Sequence, residues 1–297
     1  MRLPWSTPRP IRDLIVVPPE PEPGRGGLAV VAIIRNEGPY LREWALFHLA
    51  GGVRRFIVYD NGSTDDGARV LHDTLGPDRL TLLPWRLAGA DQDTGRPLHP
   101  QILAYAHALQ CFGGAFARMT FLDIDEFLVP VEADSIEAAL QATGGHPNVS
   151  LPWVHFGFCG NETPTRTIVE GYRDRCADLS VELNFKLVLD PCEVTALSVH
   201  RARTRSHGDE TVNDQGVRTD YRGRKDPAVL SCRHLQMNHY FTRSRQEFEA
   251  KLARGSAAAK TGQSYARKSR AKAQAISGRT EPCLRALEFA RRKGLLT

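Results

Sequence analysis

Three carboxylates, Asp123, Asp125 and Glu126, stand between two apolar runs in FLDIDEFLVP, residues 121–130. Acids in such surroundings are costly unless they are paired, hydrogen-bonded or bound to a metal. Residues two apart on a strand face the same way, so Asp123 and Asp125 can share a cation while Ile124 packs inward. Hard ions such as Mg2+ and Mn2+ take one or two carboxylate oxygens, with water and a diphosphate completing the shell. That chemistry suits a nucleoside diphosphate leaving group, whose growing negative charge needs a counter-ion. The plainer alternative is a strand end whose acids point into water.

The elements around this segment are those of an α/β protein. LAVVAII (28–34) is short, continuous and β-branched, which predicts a strand buried on both faces. A helix follows, with Pro39 near its first turn, Gly51 and Gly52 beyond its end, and Leu41, Trp44, Ala45 and His48 as its inner stripe. VRRFIVYD (53–60) predicts a second strand, then an Asn61-Gly62 turn and a helix reaching Leu75 that Ser63 or Thr64 can cap. LTLLPW is a third strand, QILAYAHALQCF a helix, and ARMTFLD a fourth strand that ends on the acids. Strands alternating with helices at this spacing imply βαβ units and a mostly parallel sheet, with ligands gathering at the carboxyl ends of the strands.

Those ends are polar. Arg35, Asn36 and Glu37 follow the first strand, and Asp60, Asn61 and Asp65 follow the second. Acids and amides there can meet a base edge and ribose hydroxyls; equally, Ser63, Thr64 and Asp65 can serve as helix caps. No GxGxxG follows the first strand and no GxxxxGK[ST] occurs, so dinucleotide and P-loop readings lose their main support. Later segments are less regular. NVSLPWVHFGF, NFKLVLDP and EVTALSV predict strands continuing the sheet, and TRSRQEFEAKLARG predicts a helix with Ser244 and Glu247 as a capping box.

Composition is ordinary for a globular chain: 297 residues, 41% hydrophobic and 25% charged. The apolar runs fall short of the ~20 residues a membrane helix needs, and the proline-rich start lacks the apolar core of a secretory signal. A cytoplasmic location is the expectation, with peripheral membrane contact as an option. Six widely spaced cysteines suggest free thiols. Residues 251–297 hold 12 Lys and Arg against two Glu, whereas the rest of the chain is mildly acidic. Such a segment can meet anionic lipid or another polyanion, or be a solvated helix face. Its two aromatic residues, Tyr265 and Phe289, make a poor nucleic-acid platform. The expected organisation is an N-terminal arm (1–27), one main domain (28–255) and a basic helical extension (256–297).

AIIRNEGPYLREWALFHLAGGVRRFIVYDNGSTD, FLDIDEFLVP, FGFCG and NHYFTRSRQEFEAKLARG together resemble glycosyltransferase family 92 and related bacterial glycosyltransferases grouped near family 2. The resemblance covers roughly residues 29–256 and is loose from about 160 to 230. It implies a GT-A fold, an Asp-x-Asp site for Mn2+ or Mg2+, and a nucleotide-sugar donor, often a UDP-sugar. On this resemblance Asp123 and Asp125 meet the ribose and the metal, and Asn36, Glu37, Asp60 and Asn61 line the nucleotide pocket, with Asp65 in the adjoining turn. Gln101 stands where the family often has a glutamine facing the donor, and His239 is the candidate C-terminal metal or diphosphate ligand. Arg243 and Lys251 are candidates to neutralise diphosphate oxygens.

Transfer with inversion needs a carboxylate to deprotonate the acceptor hydroxyl. Glu162 in FGFCGNE is one candidate, with Asp209, Glu210 and Glu170 as competitors. A glycan, lipid-linked or protein acceptor, as in polysaccharide biosynthesis, fits this reading. Two other classes stay open on sequence alone. One is a non-catalytic binding protein docking through its basic tail. The other is a nucleotidyltransferase, for which RNEGPY offers little of the expected phosphate loop.

Overall fold

A computed structural model describes residues 10–255 and 263–296. After a short strand, β1 (Asp13–Ile15), comes β2 (Leu28–Ile34), buried along nearly its whole length as its β-branched run requires. The chain turns at Asn36, whose φ is 55°, into α1 (Gly38–Ala50). Leu41, Trp44, Ala45 and His48 of α1 are all fully buried, the stripe expected from their spacing. β3 (Val53–Asp60), α2 (Gly67–Leu75), β4 (Leu80–Pro84), α3 (Pro100–Phe112) and β5 (Arg118–Phe121) complete the alternating part. Pairings β2–β3, β3–β4 and β2–β5 are all parallel, so these strands end on one edge. The turn after β3 needs glycine: Gly62 has φ 76°, and a Cβ there would lie 2.5 Å from Arg86 Nε.

Beyond β5 the topology changes. The chain leaves the parallel set through a tight turn at Asp123–Glu126, closed by Glu126 N–H donating to Asp123 O over 3.1 Å. The next elements are β6 (Glu126–Pro130), α4 (Ile136–Leu140), β7 (Asn148–His155), α5 (Ile168–Gly171), β8 (Asp174–Cys176) and β9 (Phe185–Leu189). β10 (Val194–Ser198), β11 (Ala202–Thr204), β12 (Glu210–Val212), β13 (Arg218–Asp220) and β14 (Leu235–His239) follow. The chain ends with α6 (Arg245–Arg254), α7 (Gln263–Gly278), β15 (Thr280–Pro282) and α8 (Arg285–Arg292).

The result is an α/β fold with a large mixed sheet flanked by helices, in the order β13-β12-β7-β9-β5-β2-β3-β4. β9 runs antiparallel to both β5 and β7. β14 lies between β6, antiparallel, and β7, parallel. This directionality brings the ends of β5, β7 and β14 and the starts of β6 and β9 to one edge. Apolar residues on the two faces form two cores, one under α1, α2, α4 and α8 and the other under α3.

Three details differ from the sequence expectation. β10 does not continue the main sheet; it pairs with β1 and β11 in a separate three-stranded sheet, to which residues before Leu28 contribute a strand. Ser63 and Thr64 do not cap α2, whose N-cap position is Asp66 without a side-chain cap bond. They tie loops instead: Ser63 Oγ accepts Asn36 N–H at 3.1 Å, and Thr64 N–H donates to Asn36 Oδ1 at 2.8 Å. Finally, Asp123 and Asp125 sit in a turn, so the two-residue alternation of a strand does not govern where their carboxylates point.

Candidate active site

Each of the three acids in the turn has its own partners. Glu126 is fully buried at the start of β6. Its Oε2 accepts Asp123 N–H at 2.8 Å and lies 2.8 Å from Lys186 Nζ, while its Oε1 accepts Trp153 Nε1–H at 2.8 Å. Burial pushes this carboxyl up to about 8, against the attraction of Lys186, with Asp123 and Asp125 adding to the rise. Every partner is nevertheless a donor, so the geometry is built for the carboxylate form. Lys186, on β9, is fully buried too; burial lowers its pKa, but Asp123 and Glu126 outweigh this and hold it well above the usual lysine range. Asp123 takes Lys186 Nζ on Oδ2 at 3.0 Å and Gln101 Nε2–H on Oδ1 at 2.9 Å. At 37% side-chain exposure, Asp123 is where this buried cluster reaches the surface.

Asp125 faces other groups. Its Oδ2 lies 3.0 Å from Lys251 Nζ of α6, and its Oδ1 lies 3.8 Å from His239 Nε2 at the end of β14. Tyr240 N–H fixes its carbonyl at 2.8 Å. Burial raises its pKa, but Lys251, His239 and Arg243 together hold it well below the usual carboxylate range. The imidazole of His239 is pushed well below its usual pKa by burial, with Asp125 opposing and His155, Lys272 and Lys251 adding to the fall. His155, at the end of β7, stacks on His239 at 5.0 Å between centroids and is lowered by burial to about 4. Trp153 packs against both rings.

Cations surround this carboxylate. Arg243, with φ 51°, lies 3.5 Å from the ring centre of Tyr40 and 3.7 Å from Glu37 Oε2. Glu37 also meets Arg254 at 3.7 Å, and burial raises its carboxyl despite Arg243. Lys272 of α7 lies 5.0 Å from the Trp153 ring centre and 4.5 Å from that of Phe241, and Lys251 shares Phe241 at 4.5 Å. Burial lowers the pKa of Lys272, with Glu182 opposing. The position of α6 is set by its capping box: Ser244 and Glu247 bond reciprocally, and Glu247 also accepts Tyr40 Oη–H at 2.5 Å and Tyr172 Oη–H at 3.1 Å. Lys251 is one turn further along the same face.

The structure therefore joins Asp123 with Gln101, and Asp125 with His239, Lys251, Arg243 and, through Arg243, Glu37. Asn36, Asp60 and Asp65 form a neighbouring loop network: Asp60 Oδ1 accepts Ser63 N–H at 2.7 Å, and Asp65 Oδ2 accepts Gly38 N–H, at the start of α1, at 2.8 Å. Asn61 donates its N–H to Ile34 O at 2.9 Å. The candidate bases lie elsewhere. Glu162 is 74% exposed and paired with Arg245 at 2.9 Å, and Asp209 is 57% exposed and paired with Arg203 at 3.3 Å. Glu170 accepts Thr167 Oγ1–H at 2.7 Å. Lys186, His155 and Lys272 were not anticipated. NFKLVLDP carried the signal for Lys186, since a lone lysine inside an otherwise buried strand needs an acid partner.

As a divalent-ion site, the donor set fits in part. Ligands about 2.1 Å from one ion lie at most about 4.2 Å apart, a limit that the 3.8 Å between Asp125 Oδ1 and His239 Nε2 satisfies. Several buried polar atoms here have no hydrogen-bond partner: His155 Nδ1, His239 Nδ1, Thr242 Oγ1 and Arg243 Nε. Asp123 instead carries Lys186. Three of the tail's other cations meet the body: Arg270 with Glu249, Arg285 with Cys232 O and Gln236, and Lys293 with Asp134. Among the described residues no helix is long and apolar enough to cross a membrane.

Residues 32–271 match the family model of glycosyltransferase family 92, and the chain belongs to that family. A glycosyltransferase family 92 protein of Ricinus communis is 28% identical over 170 residues, covering 52% of this chain and 28% of that protein. One of Oryza sativa subsp. japonica is 27% identical over 158 residues, covering 50% and 25%. The matched part thus spans about a quarter of the length of these relatives. Partial superpositions exist with the crystal structure of S. aureus TarS 1-349 (TM-score 0.32, 14% identity, 56% of this chain and 47% of that one). Another is glucosyl-3-phosphoglycerate synthase from Mycobacterium tuberculosis in complex with Mn2+, UDP and glucosyl-3-phosphoglycerate (TM-score 0.28, 18% identity, 45% of each).

Proposed function

We propose that this chain transfers a sugar from a nucleoside diphosphate sugar, with UDP as the carrier, to a hydroxyl of a glycan, lipid-linked or protein acceptor. The observation that carries the reading is the setting of Asp125. This half-buried carboxylate lies at the edge where parallel strands end, beside Lys251 and His239, with unpartnered polar atoms on His155, His239, Thr242 and Arg243. A diphosphate satisfies such a set, and family 92 membership supports the class of reaction.

Asp125 and His239 would hold a divalent ion, Mn2+ or Mg2+, which when bound supplies positive charge to the departing diphosphate. Lys251, Arg243 and Lys272 add charge that the protein itself provides. Lys186 and Gln101 orient Asp123, whose exposed edge is offered to the ribose. The Asn36–Thr64 and Asp60–Ser63 bonds hold the loops that flank the nucleotide. For the base that inversion requires, Glu162 is favoured: its carbonyl accepts Gln246 N–H at 3.1 Å, which anchors its loop on α6, the helix bearing Lys251. Arg245 would have to release the Glu162 carboxylate first.

Calorimetry with UDP, with and without Mn2+, tests the reading on wild type and Asp125→Ala. UDP affinity indifferent to both the metal and the substitution would refute the ion's role. A screen of UDP-, GDP- and CMP-sugars for hydrolysis tests the donor. Pyrophosphate released from a nucleoside triphosphate and a sugar phosphate would instead make the chain a nucleotidyltransferase.

A further inference from the structure

The segment SHGDE, with Ser206, His207, Asp209 and Glu210, has no part in the site just described. It forms the turn from β11, in the small sheet, to β12, in the large one. His146 faces it from just before β7. One ligand atom each from His146, His207 and Glu210 lies within 4.8 Å of the other two. His146 Nε2 is 3.2 Å from Glu210 Oε1, and the two imidazole centroids are 4.5 Å apart. Ligands about 2.0–2.1 Å from a tetrahedral ion are roughly 3.3 Å apart, so the His146–Glu210 spacing already suits one.

Both rings are held from behind. His146 Nδ1 accepts Asn148 N–H at 3.2 Å and also lies 3.0 Å from Asn148 O. An ion on Nε2 moves the ring proton to Nδ1, exchanging the bond from Asn148 N–H for one donated to Asn148 O. His207 Nδ1 is 2.7 Å from Ser206 Oγ, which is itself held by Glu193 Oε2 at 2.6 Å. Such outer bonds orient ligating histidines and fix their protonation. Arg218 approaches Glu210 Oε1 to 3.6 Å from β13, but its side chain is largely exposed and can swing into solvent.

We propose that His146, His207 and Glu210 bind a borderline ion such as Zn2+, clamping the β11–β12 turn to the start of β7. Two imidazoles and one carboxylate suit zinc better than Mg2+ or Mn2+, and they leave a fourth position for water. Asn148 and His155 bracket β7, a rise of roughly 23 Å, so this site is remote from Asp125. Its role is to staple the small sheet onto the large one, and it does not depend on the proposed sugar transfer.

The test uses the chelator-stripped 297-residue chain titrated calorimetrically with Zn2+, with melting temperature recorded with and without the ion. A Zn2+ uptake that persists in Asp125→Asn, which lacks a ligand of the other candidate ion site, is expected, weakened at least about tenfold by His207→Ala and by Glu210→Gln. Zn2+ should raise the melting point of wild type and Asp125→Asn, and by clearly less that of the other two variants. Metal-free melting points close to wild type would show that those variants fold. Failure of wild type to take up Zn2+, or uptake unaffected by both substitutions, would overturn the assignment.

Discussion

Lys186 Nζ lies 2.8 Å from Glu126 Oε2 and 3.0 Å from Asp123 Oδ2, a wholly buried ammonium between two acids of one turn. Breaking such a group by removing the ammonium costs about 3–5 kcal/mol, because Glu126 stays fully buried without its counter-charge. Lys186→Met should therefore lower unfolding free energy in urea by about that amount. Adding Glu126→Gln should recover part of the loss, so the double variant will be more stable than the sum of the singles. Simple additivity would show that the two groups do not interact.

A second prediction concerns donor affinity. Lys251 reaches Asp125 from α6, and Lys272 reaches Trp153 and Phe241 from α7. Charge-assisted hydrogen bonds are worth about 1.5–3 kcal/mol, so Lys251→Ala and Lys272→Ala should each weaken UDP binding about tenfold or more. An unchanged dissociation constant for Lys272→Ala would remove α7 from the donor site.

The pH dependence of stability should carry the mark of His48. Its Nε2 accepts Leu128 N–H at 3.1 Å and its Nδ1 faces Trp44 O at 2.8 Å, so the native ring is neutral. Burial pushes it down to about 4, opposed by the bond to Trp44. The unfolded chain takes up a proton near pH 6.5 that the folded chain refuses, so stability is complete above pH 6.5 and falls as pH drops from there through 4. The contribution is about 3 kcal/mol. Urea unfolding at pH 7 and pH 4 should show a smaller difference for His48→Gln than for wild type; equal differences would refute it.

Glu247 ties α6 to α1 through Tyr40 and also accepts a hydrogen bond from Tyr172. Glu247→Ala removes both bonds and half of the capping box, at a cost of about 2 kcal/mol. UDP affinity should fall with it, since Lys251 depends on the seating of α6. Loss of stability with UDP affinity intact would separate the two.

The alternating half of the fold was legible because LAVVAII and VRRFIVYD are short buried runs with turn residues behind them. The capping box at Ser244 and Glu247 was legible because it is local. What escaped was non-local. EVTALSV has the pattern of a strand, but pattern does not name its partner, and it pairs with β1 rather than with the main sheet. Strand alternation gave Asp123 and Asp125 a common direction; the bond from Glu126 N–H to Asp123 O makes the segment a turn, and their carboxylates meet different cations. Lys186, 63 residues beyond Asp123, joins them only through the β5–β9 pairing.

The slot that β14 fills has a consequence for biosynthesis. His239 is registered opposite Glu126 of β6 and His155 of β7, yet it is made more than a hundred residues after the former. A nascent chain halted before Leu235 would hold Asp125 with neither His239 nor Lys251 to face it, and with the borders of β6 and β7 open side by side. Protection from edge-to-edge aggregation thus waits on a single five-residue segment, which closes the gap and seats His239 beside Asp125 in the same step.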